Sequence, residues 1–371
     1  MRIGVDARNL VHNITGISRY VVETCRVLSG LGHEVVLYFP EKPKVALPTL
    51  QGAVTRIANY RGGTKRMVWG QTVLPYLAKR DKVDVFWGPA HRLPSFLDNG
   101  IPRVVTIHDL VWHHAASTMR LQGWFGDRYL MSPAIRAADR VVSVSQATAN
   151  SVSSMFPRAA EKLRVIYPGL TLLRSDASDA FLEQNRINRP FALFIGTLEP
   201  RKNLLRLLEA YARLPDTTRQ KLMLVIAGGT GWHMGDLRSH ITSLTIDGSV
   251  HLTGYVSDEN LSTLYRNARL LAMPSIYEGF GFPIIEANAR GVPVVTSNCS
   301  SMPEVAGDAA LLVNPLDTVD ISEALNSLAT DDSLHARLSS NAKLNADRFN
   351  WSNSTRDLIG IFDEAIAERK Q

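Results

Sequence analysis

The sequence predicts an α/β protein of two doubly wound domains, each with its own parallel sheet. Short apolar stretches of strand length alternate with amphipathic helical stretches, a pattern typical of parallel sheets covered by helices. A polar stretch near residues 169–180 interrupts the alternation, which then starts again. A chain of 371 residues is also longer than one hydrophobic core usually supports. We therefore predict one domain over 1–172, a second over 173–350, and a helix over 351–371 that packs back on the first domain.

The first domain is predicted to contain seven strands and four helices. The strands are mostly apolar, and the helices between them are amphipathic. The predicted strands are 2–7, 33–39, 53–59, 83–88, 103–109, 140–146 and 163–169, and the predicted helices are 18–30, 65–79, 122–137 and 146–156.

The second domain repeats this organisation. Its predicted strands are 191–197, 222–229, 250–256, 270–275, 293–298 and 309–315, and its predicted helices are 203–212, 258–267, 282–290, 303–306 and 319–329. Ligands of such sheets bind at the carboxyl ends of the strands. We therefore expect a ligand in a cleft between the two domains.

Composition indicates a protein of the cytoplasm. The two cysteines, Cys25 and Cys299, are too far apart in sequence for a metal-binding motif and do not form a disulfide framework. The beginning of the chain, MRIGVDAR, lacks the basic and apolar regions of a signal peptide. No stretch approaches the ~18–20 apolar residues of a membrane helix.

Charge is distributed unevenly along the chain. Residues 1–172 contain 22 Lys and Arg against 11 Asp and Glu, whereas residues 173–371 contain 19 against 24. Nucleic acid and the anionic surface of a membrane are both candidate partners for such a basic half.

A glycine-rich run, AGGTGWHMG at 227–235, follows a predicted strand but does not fit a dinucleotide-binding motif. Counting from Gly229, the second glycine is Gly231, but the third glycine position holds Met234. The run is better explained as a tight turn. A nicotinamide-dependent dehydrogenase is therefore disfavoured.

Two segments of the first domain are candidate ligand contacts. In NITGISRYV, 13–21, Gly16 allows close approach of a ligand, and Ser18 begins a helix whose N-terminus favours an anion. A plain strand-to-helix turn is an equally good interpretation of this segment. In TIHDLVW, 106–112, His108 and Asp109 lie at the carboxyl end of a strand, where ligands bind; a structural hydrogen-bonding histidine is the alternative.

Two cations in GTLEPRKNLLRLLEA, 196–210, stand immediately before a predicted helix. Arg201 and Lys202 oppose the helix dipole there, so local stability does not explain them. A bound diphosphate would explain the two cations, because arginine and lysine both bind phosphate oxygens. The alternative is a pair of solvated basic residues.

The stretch YEGFGFPIIEA, 277–287, places Glu278 and Glu286 eight residues apart around an apolar, glycine-containing turn. Gly279 and Gly281 allow close approach of a ligand, and a helix begins near Phe282. Carboxylates at such a strand end accept hydrogen bonds from hydroxyl groups, which sugars carry in abundance. The alternative is a capping acid and an unrelated surface glutamate. No metal site is predicted, because the adjacent His113 and His114 lack a third ligand at suitable spacing.

These segments, in this order, resemble the retaining glycosyltransferases of family GT4, which have the GT-B fold of two Rossmann-like domains. The resemblance spans essentially the whole chain and is most specific in the E-x7-E pair of EGFGFPIIEA and in GTLEPRKN. It implies that Glu278 binds hydroxyls of the donor sugar, that Glu286 binds the ribose, and that Arg201 and Lys202 bind the diphosphate.

The resemblance also implies further contacts. His108 corresponds to a histidine that contacts the donor sugar, and Gly16 to a loop that approaches phosphate or acceptor. The remaining donor-binding positions are Gly196, Thr197, Tyr255, Val256, Gly279 and the backbone N–H groups of Phe280, Gly281 and Phe282. The chain departs from the family in having one glycine in its first loop and Thr197 where many members have arginine.

The implied activity is transfer of a hexose from a nucleotide-diphosphate sugar with retention of configuration, without a metal or other cofactor. Likeness to bacterial mannosyl- and rhamnosyltransferases favours mannose or rhamnose from a GDP-sugar. The implied acceptor is a lipid-linked or saccharide intermediate of O-antigen, lipopolysaccharide or exopolysaccharide assembly, with no nucleic-acid partner. A synthase of soluble saccharides and a non-catalytic sugar-binding protein are alternatives.

Peripheral contact with the cytoplasmic face of the inner membrane is also expected from the basic first domain. Residues 61–80 mix basic side chains with Met67, Trp69, Leu74 and Tyr76, as an interfacial helix would. An ordinary amphipathic core helix explains the same residues equally well, since Pro75 interrupts the apolar face.

Overall fold

The computed structural model describes residues 1–12, 15–44, 50, 52–172, 179–229, 231–232 and 235–370. The chain divides into two compact units. The first comprises Met1–His113, Leu121–Gly169 and Asn350–Gln371, and the second comprises His114–Arg120 and Leu170–Phe349. The division near 169/170 is close to the predicted boundary at 172/173, but the inclusion of His114–Arg120 in the second unit was not predicted. Most of the predicted polar linker, 173–178, lies outside the described residues.

Among the described residues, the first unit contains a seven-stranded parallel sheet. Its order is β3-β2-β1-β4-β5-β6-β7, so the direction of strand addition reverses between β1 and β4. Apolar runs such as Val35–Phe39 are buried throughout, which is typical of a parallel sheet covered on both faces. The strands are β1 Arg2–Asp6, β2 Glu34–Phe39, β3 Val54–Ile57, β4 Val85–Gly88, β5 Arg103–Ile107, β6 Arg140–Ser143 and β7 Leu163–Val165.

The helices that follow these strands are α1 Gly16–Gly30, α2 Gly63–Gln71, α3 Val73–Arg80, α4 Val111–His114, α5 Leu121–Ala137 and α6 Gln146–Met155. The single helix predicted over 65–79 is therefore wrong, because α2 ends at Gln71 and α3 begins at Val73, with Thr72 between them. Pro75 lies in the first turn of α3, where its missing N–H costs no helical hydrogen bond. The interfacial interpretation fails for two of its residues, since Trp69 and Leu74 are fully buried.

The second unit contains, within its described part, a six-stranded parallel sheet of order β10-β9-β8-β11-β12-β13. Each predicted stretch contains one strand. The strands are β8 Phe191–Ile195, β9 Met223–Ala227, β10 Val250–Gly254, β11 Leu270–Met273, β12 Val294–Ser297 and β13 Ala310–Val313. The direction of strand addition reverses between β8 and β11, and the segments carrying the predicted donor site follow these two strands.

Nine helices complete the second unit over its described residues. They are α7 Ala180–Gln184, α8 Leu204–Ala212, α9 Asp216–Lys221, α10 Leu237–Ser243, α11 Asp258–Asn267, α12 Phe282–Asn288, α13 Met302–Ala306, α14 Thr318–Thr330 and α15 Asp332–Ala346. The helix α15 was not predicted, because most of its side chains are polar. Asp331 caps its N-terminus, and the Asp331 side chain accepts a hydrogen bond from the Leu334 N–H.

The last helix, α16 Trp351–Lys370, belongs to the first unit. Arg140 forms ion pairs with Glu364 at 2.9 Å and Glu368 at 2.5 Å, and Asp139 pairs with Arg369 at 2.8 Å. The Phe362 ring packs against Trp87 of β4 with 6.1 Å between centroids.

None of the helices in the described ranges has the length and apolar character that crossing a bilayer requires.

Candidate functional site

A cluster of four charged side chains lies on two segments of the second unit, one following β8 and one following β11. Arg201 donates hydrogen bonds from Nη1 to Glu278 Oε2 at 2.6 Å and from Nη2 to Glu199 Oε1. Lys202 Nζ donates to Glu278 Oε1 at 2.6 Å. Glu199, Lys202 and Glu278 are buried, with 6%, 9% and 6% of their surface exposed. Three side chains that the sequence placed in the donor site are therefore in direct contact.

The first of these segments is held by its backbone and by Asn203. Residues Pro200–Lys202 form one 3-10 turn, and Asn203 has a positive φ of 61°, a conformation that asparagine tolerates. Its Nδ2 donates to the carbonyl oxygens of Pro274 at 2.8 Å and Pro315 at 2.6 Å. Asn203 thus fixes the Arg201–Lys202 turn to the segments after β11 and β13, and α8 begins at the next residue.

The second segment is held by two serines. Ser301 Oγ donates to the Glu278 carbonyl at 3.0 Å, and the Glu278 N–H donates to Ser300 Oγ at 3.2 Å. Gly281 has φ of 108°, a conformation that favours glycine, and it caps α12. Gly279 and Phe280 are buried, and the Phe280 ring meets Phe282 edge-on at 5.1 Å between centroids.

The electrostatics of the cluster keep Glu278 ionised. Burial alone raises the pKa of a carboxyl group, but the charges of Arg201 and Lys202 outweigh burial and lower the pKa of Glu278 to about 2. The carboxylate is therefore a hydrogen-bond acceptor at physiological pH and cannot act as an acid.

The second glutamate has a different partner. Glu286 lies in α12, is 9% exposed, and accepts a hydrogen bond from the Tyr265 hydroxyl at 2.7 Å. The two glutamates therefore use separate sets of contacts, and the ribose-binding role of Glu286 stays a prediction. Tyr265 was not identified from sequence, since a tyrosine on the apolar face of α11 looks like an ordinary core residue.

Close backbone packing surrounds the end of β8. Gly196 has φ of 147°, and Thr197 is exposed. The Leu198 N–H donates to the Gly229 carbonyl at 3.1 Å, and a Cβ on Gly228 would lie 1.8 Å from the Gly196 carbonyl oxygen. The glycines of the 227–235 run thus allow two chain segments to touch, as a tight turn does; residues 230, 233 and 234 of that run lie outside the described residues.

Two of the predicted donor-binding residues, which the resemblance places near the base of the nucleotide, follow β10. Tyr255 is 84% exposed and Val256 is half-buried, directly after Gly254 with its φ of 70°. Such exposure leaves the Tyr255 ring available to a ligand.

In the first unit, the loop before α1 is anchored by side-chain hydrogen bonds. Thr15 caps the helix by accepting from the Ser18 N–H at 3.3 Å, and Ser18 Oγ donates to the Asn9 carbonyl at 2.9 Å. Gly16 is the first residue of α1 and is exposed, whereas Asn13 and Ile14 lie outside the described residues. The Ser18 hydroxyl therefore holds the loop to the segment after β1, and its ligand role stays a prediction.

His108 follows β5 and is buried. Its Nε2 donates to the Pro89 carbonyl at 2.7 Å, and its ring meets Tyr20 and His91 edge-on at 4.9 and 5.4 Å between centroids. Burial first, and then the neighbouring His91, lower the pKa of His108 to about 3. The imidazole is therefore neutral at physiological pH and suited to hydrogen bonding.

Sequence reasoning missed other polar residues at the carboxyl ends of β1 and β4. Arg8 forms a two-point ion pair with the buried Asp6, at 2.9 and 2.8 Å from Nε, and its guanidinium lies over the Trp69 ring at 5.5 Å. His91 is buried with a positive φ of 63°. The sequence feature that could have indicated these residues is the pair of charged side chains, Asp6 and Arg8, at the end of the apolar strand in MRIGVDAR.

A search of the described residues finds no group of three or more His, Cys, Asp or Glu side chains that could hold a metal ion.

Comparison with known proteins identifies the family. Two family models match: Glycosyltransferase Family 4 over residues 14–173 and Glycosyl transferases group 1 over residues 178–345. The chain is 33% identical to the O-antigen chain mannosyltransferase B of Escherichia coli over 77% of this chain and 76% of that protein. It is 28% identical to the MMP alpha-(1->4)-mannosyltransferase of Mycolicibacterium hassiacum over 72% of this chain and 66% of that protein.

Solved structures support the fold. WaaG, a glycosyltransferase involved in lipopolysaccharide biosynthesis, matches with a TM-score of 0.77 at 18% identity, covering 98% of this chain and 99% of that one. Anabaena HepE in complex with UDP and glucose matches with a TM-score of 0.75 at 19% identity, covering 98% and 100%. Together with the two parallel-sheet units, these matches confirm the predicted GT-B fold. The chain belongs to the family 4 glycosyltransferases.

Proposed function

We propose that this glycosyltransferase transfers mannose or rhamnose from a GDP-sugar to a lipid-linked or saccharide acceptor of surface polysaccharide assembly, at the cytoplasmic face of the membrane. The observation that carries the proposal is the contact of Glu278 with both Arg201 and Lys202. The names of the mannosyltransferase relatives support mannose as the sugar and O-antigen as the product.

The charged cluster suits a nucleotide-diphosphate sugar. Arg201 offers a planar fork and Lys202 a compact charge, and both bind phosphate oxygens well. Glu278, which stays ionised, accepts hydrogen bonds from sugar hydroxyls. A donor that approaches the cluster therefore replaces ion pairs within the protein by ion pairs to its diphosphate and by hydrogen bonds to its sugar.

The reaction we propose retains the configuration at the anomeric carbon. The bond from this carbon to the diphosphate oxygen breaks, and the acceptor oxygen bonds to the same face. The acceptor's proton passes to the departing phosphate oxygen, so no protein nucleophile is required. Arg201 and Lys202 stabilise the charge that develops on the diphosphate, which is the role that a metal ion has in other transferases. His108 is neutral and its Nε2–H donates to the Pro89 carbonyl, so we propose that its Nδ1 accepts a hydrogen bond from a sugar hydroxyl.

The name of a further relative supports a second candidate acceptor class. The chain is 29% identical to the D-inositol 3-phosphate glycosyltransferase of Corynebacterium kroppenstedtii over 72% of this chain and 62% of that protein. Transfer to a small soluble acceptor is therefore the alternative to transfer onto a lipid-linked saccharide.

The donor is tested by thermal shift with GDP, UDP, ADP and dTDP. A ligand that binds only the native state stabilises it by about 2.7 kcal/mol at a concentration of 100 Kd. We expect GDP to raise Tm most, and purified protein with GDP-mannose to release GDP slowly in the absence of acceptor. Stabilisation by UDP alone would contradict the GDP assignment. Absence of stabilisation by all four nucleotides, together with no donor hydrolysis, would contradict the function itself.

We further propose that α5 contacts the membrane. Leu121, Phe125 and Tyr129 recur every four residues along the helix and are 77%, 51% and 62% exposed. Arg128 of the same helix lies over the Trp124 ring at 5.0 Å. An apolar row beside a basic residue, in the half of the chain with excess positive charge, suits an anionic lipid surface.

The membrane contact predicts salt-dependent binding to vesicles. Wild-type protein is expected to sediment with vesicles of phosphatidylglycerol and phosphatidylcholine, less so at 300 mM than at 50 mM NaCl, and not with pure phosphatidylcholine vesicles. The Phe125→Asp, Tyr129→Asp double variant should bind at least about fivefold less, because it places charge in the apolar row. Leu344→Asp, at an exposed leucine of α15, is the control. Equal binding by both variants would contradict a contact through α5.

A further inference from the structure

Glu199 is the member of the charged cluster to which the sequence motif assigned no role. It is 6% exposed, and its Oε1 accepts a hydrogen bond from Arg201 Nη2. Its backbone is fixed on both sides, because the Leu198 N–H donates to the Gly229 carbonyl at 3.1 Å and the Lys202 N–H donates to the Glu199 carbonyl at 3.0 Å. The carboxylate is therefore attached to a rigid part of the turn.

The Arg201 guanidinium is oriented by acceptors at both of its terminal nitrogens. Nη1 donates to Glu278 Oε2 at 2.6 Å and to the Tyr277 carbonyl at 3.0 Å, while Nη2 donates to Glu199. Glu278 is shared with Lys202, which donates to its other oxygen at 2.6 Å. Two carboxylates thus meet two cations, and the formal charge of the cluster is zero.

Donor binding is expected to affect the hydrogen bonds of Glu278 and Glu199 differently. A carboxylate that accepts bonds from sugar hydroxyls has fewer lone pairs left for Arg201 and Lys202. The arginine side chain has many rotamers, so loss of an anchor increases its freedom considerably. Glu199 follows a different strand from Glu278, and a ligand that engages Glu278 need not disturb it.

We propose that Glu199 is a positioning residue that holds the Arg201 guanidinium at the diphosphate site while Glu278 engages the donor sugar. This inference rests on the proposed function of the site. It assigns to Glu199 a contribution to phosphate binding although its own charge repels phosphate. The contribution acts entirely through Arg201.

A double-mutant cycle with Glu199→Ala and Arg201→Ala tests this role. The dissociation constant of inorganic pyrophosphate is measured by calorimetry, because pyrophosphate reports the diphosphate site whatever the base. In addition, kcat and KM are measured with GDP-mannose. In the wild-type background, we expect Glu199→Ala to weaken pyrophosphate binding about 3–10-fold and to lower kcat about 10-fold or more. In the Arg201→Ala background, the same substitution should change the pyrophosphate dissociation constant and kcat by no more than about twofold.

Glu199→Gln is the second variant, because its amide oxygen still accepts from Arg201 and the side chain keeps its size. Its effects should lie between those of wild type and Glu199→Ala. Glu209→Ala, at an exposed acid of α8, controls for loss of one negative charge in the same unit. Circular dichroism and Tm establish that each variant is folded.

The outcomes distinguish failure of the Glu199 inference from failure of the proposed function. Tighter pyrophosphate binding by Glu199→Ala in both backgrounds would show that Glu199 acts by its own charge, and would overturn the inference. Additive losses in the double variant would overturn it as well, since they indicate a role independent of Arg201. If wild-type protein binds neither pyrophosphate nor any of the four nucleoside diphosphates, the proposed function fails and the inference fails with it.

Discussion

Replacing Lys202 with alanine is expected to lower kcat for sugar transfer roughly 10²–10³-fold. Lys202 is a buried residue, 9% exposed, and its Nζ lies 2.6 Å from Glu278 Oε1, among buried side chains. Charge stabilisation of a leaving diphosphate is strong in such surroundings and cannot be replaced by solvent. Initial rates with GDP-mannose, measured over a range of donor concentrations, separate kcat from KM.

Lys221→Ala is the matched control, because Lys221 is an exposed lysine at the end of α9 in the same unit. Its kcat should equal that of wild type. Lys202→Ala should remain folded, since Arg201 still donates to Glu278 at 2.6 Å and the carboxylate keeps a cationic partner. A kcat within threefold of wild type would refute the assignment of Lys202 to the reaction.

The second large effect concerns stability. Gly228→Ala is expected to destabilise the protein by about 3 kcal/mol, near the upper end of the usual cost of overpacking. The added Cβ would lie 1.8 Å from the Gly196 carbonyl oxygen, and backbone atoms cannot move aside as a flexible side chain can. Gly196 is itself held by a hydrogen bond from its N–H to the Ala227 carbonyl at 3.1 Å. For a unit of this size, 3 kcal/mol corresponds to a decrease in Tm of about 6–12 °C.

The neighbouring glycine is the control for this substitution. Among the described residues, a Cβ on Gly229 would meet no atom within 4 Å, so Gly229→Ala should leave Tm almost unchanged. Both variants are compared by urea and thermal unfolding with the same protein preparation. Equal stabilities of Gly228→Ala and Gly229→Ala would show that the turn accommodates a side chain and would contradict the close packing of the segments after β8 and β9.

The sheets could be predicted from sequence because their strands are short, apolar on both faces and separated by helices. Errors occur where the pattern is weak. The helix α15 has few buried apolar side chains, and its start depends on a hydrogen bond from the Leu334 N–H to Asp331. The break at Thr72 also leaves no clear mark, because Pro75 is compatible with either one interrupted helix or the first turn of a new one.

The candidate site was predicted in part. A diphosphate explained Arg201 and Lys202, and strand-end position explained Glu278, but their direct contact depends on two segments 76 residues apart in sequence. Glu199 could not be predicted as a site residue, because an acid beside two cations is also explained by local charge balance. For Trp69, the sequence fitted an interfacial helix and a core helix equally well, and the residue is fully buried. Its packing partner Arg8 comes from the segment after β1, and no local pattern indicates that contact.

The location of α16 has a consequence for synthesis of the protein. In the first unit, Phe362 of this helix packs against Trp87, and three charged side chains of the helix form ion pairs with Asp139 and Arg140. Residues 170–349 of the second unit are nevertheless translated before the helix. At about 5–20 residues per second, the ribosome needs roughly 10–40 s for that intervening stretch. Throughout this interval the nascent first unit exposes the apolar surface around Trp87 that Phe362 later covers. Chaperone capture of the nascent chain should therefore persist until release, although the second unit can complete its sheet earlier.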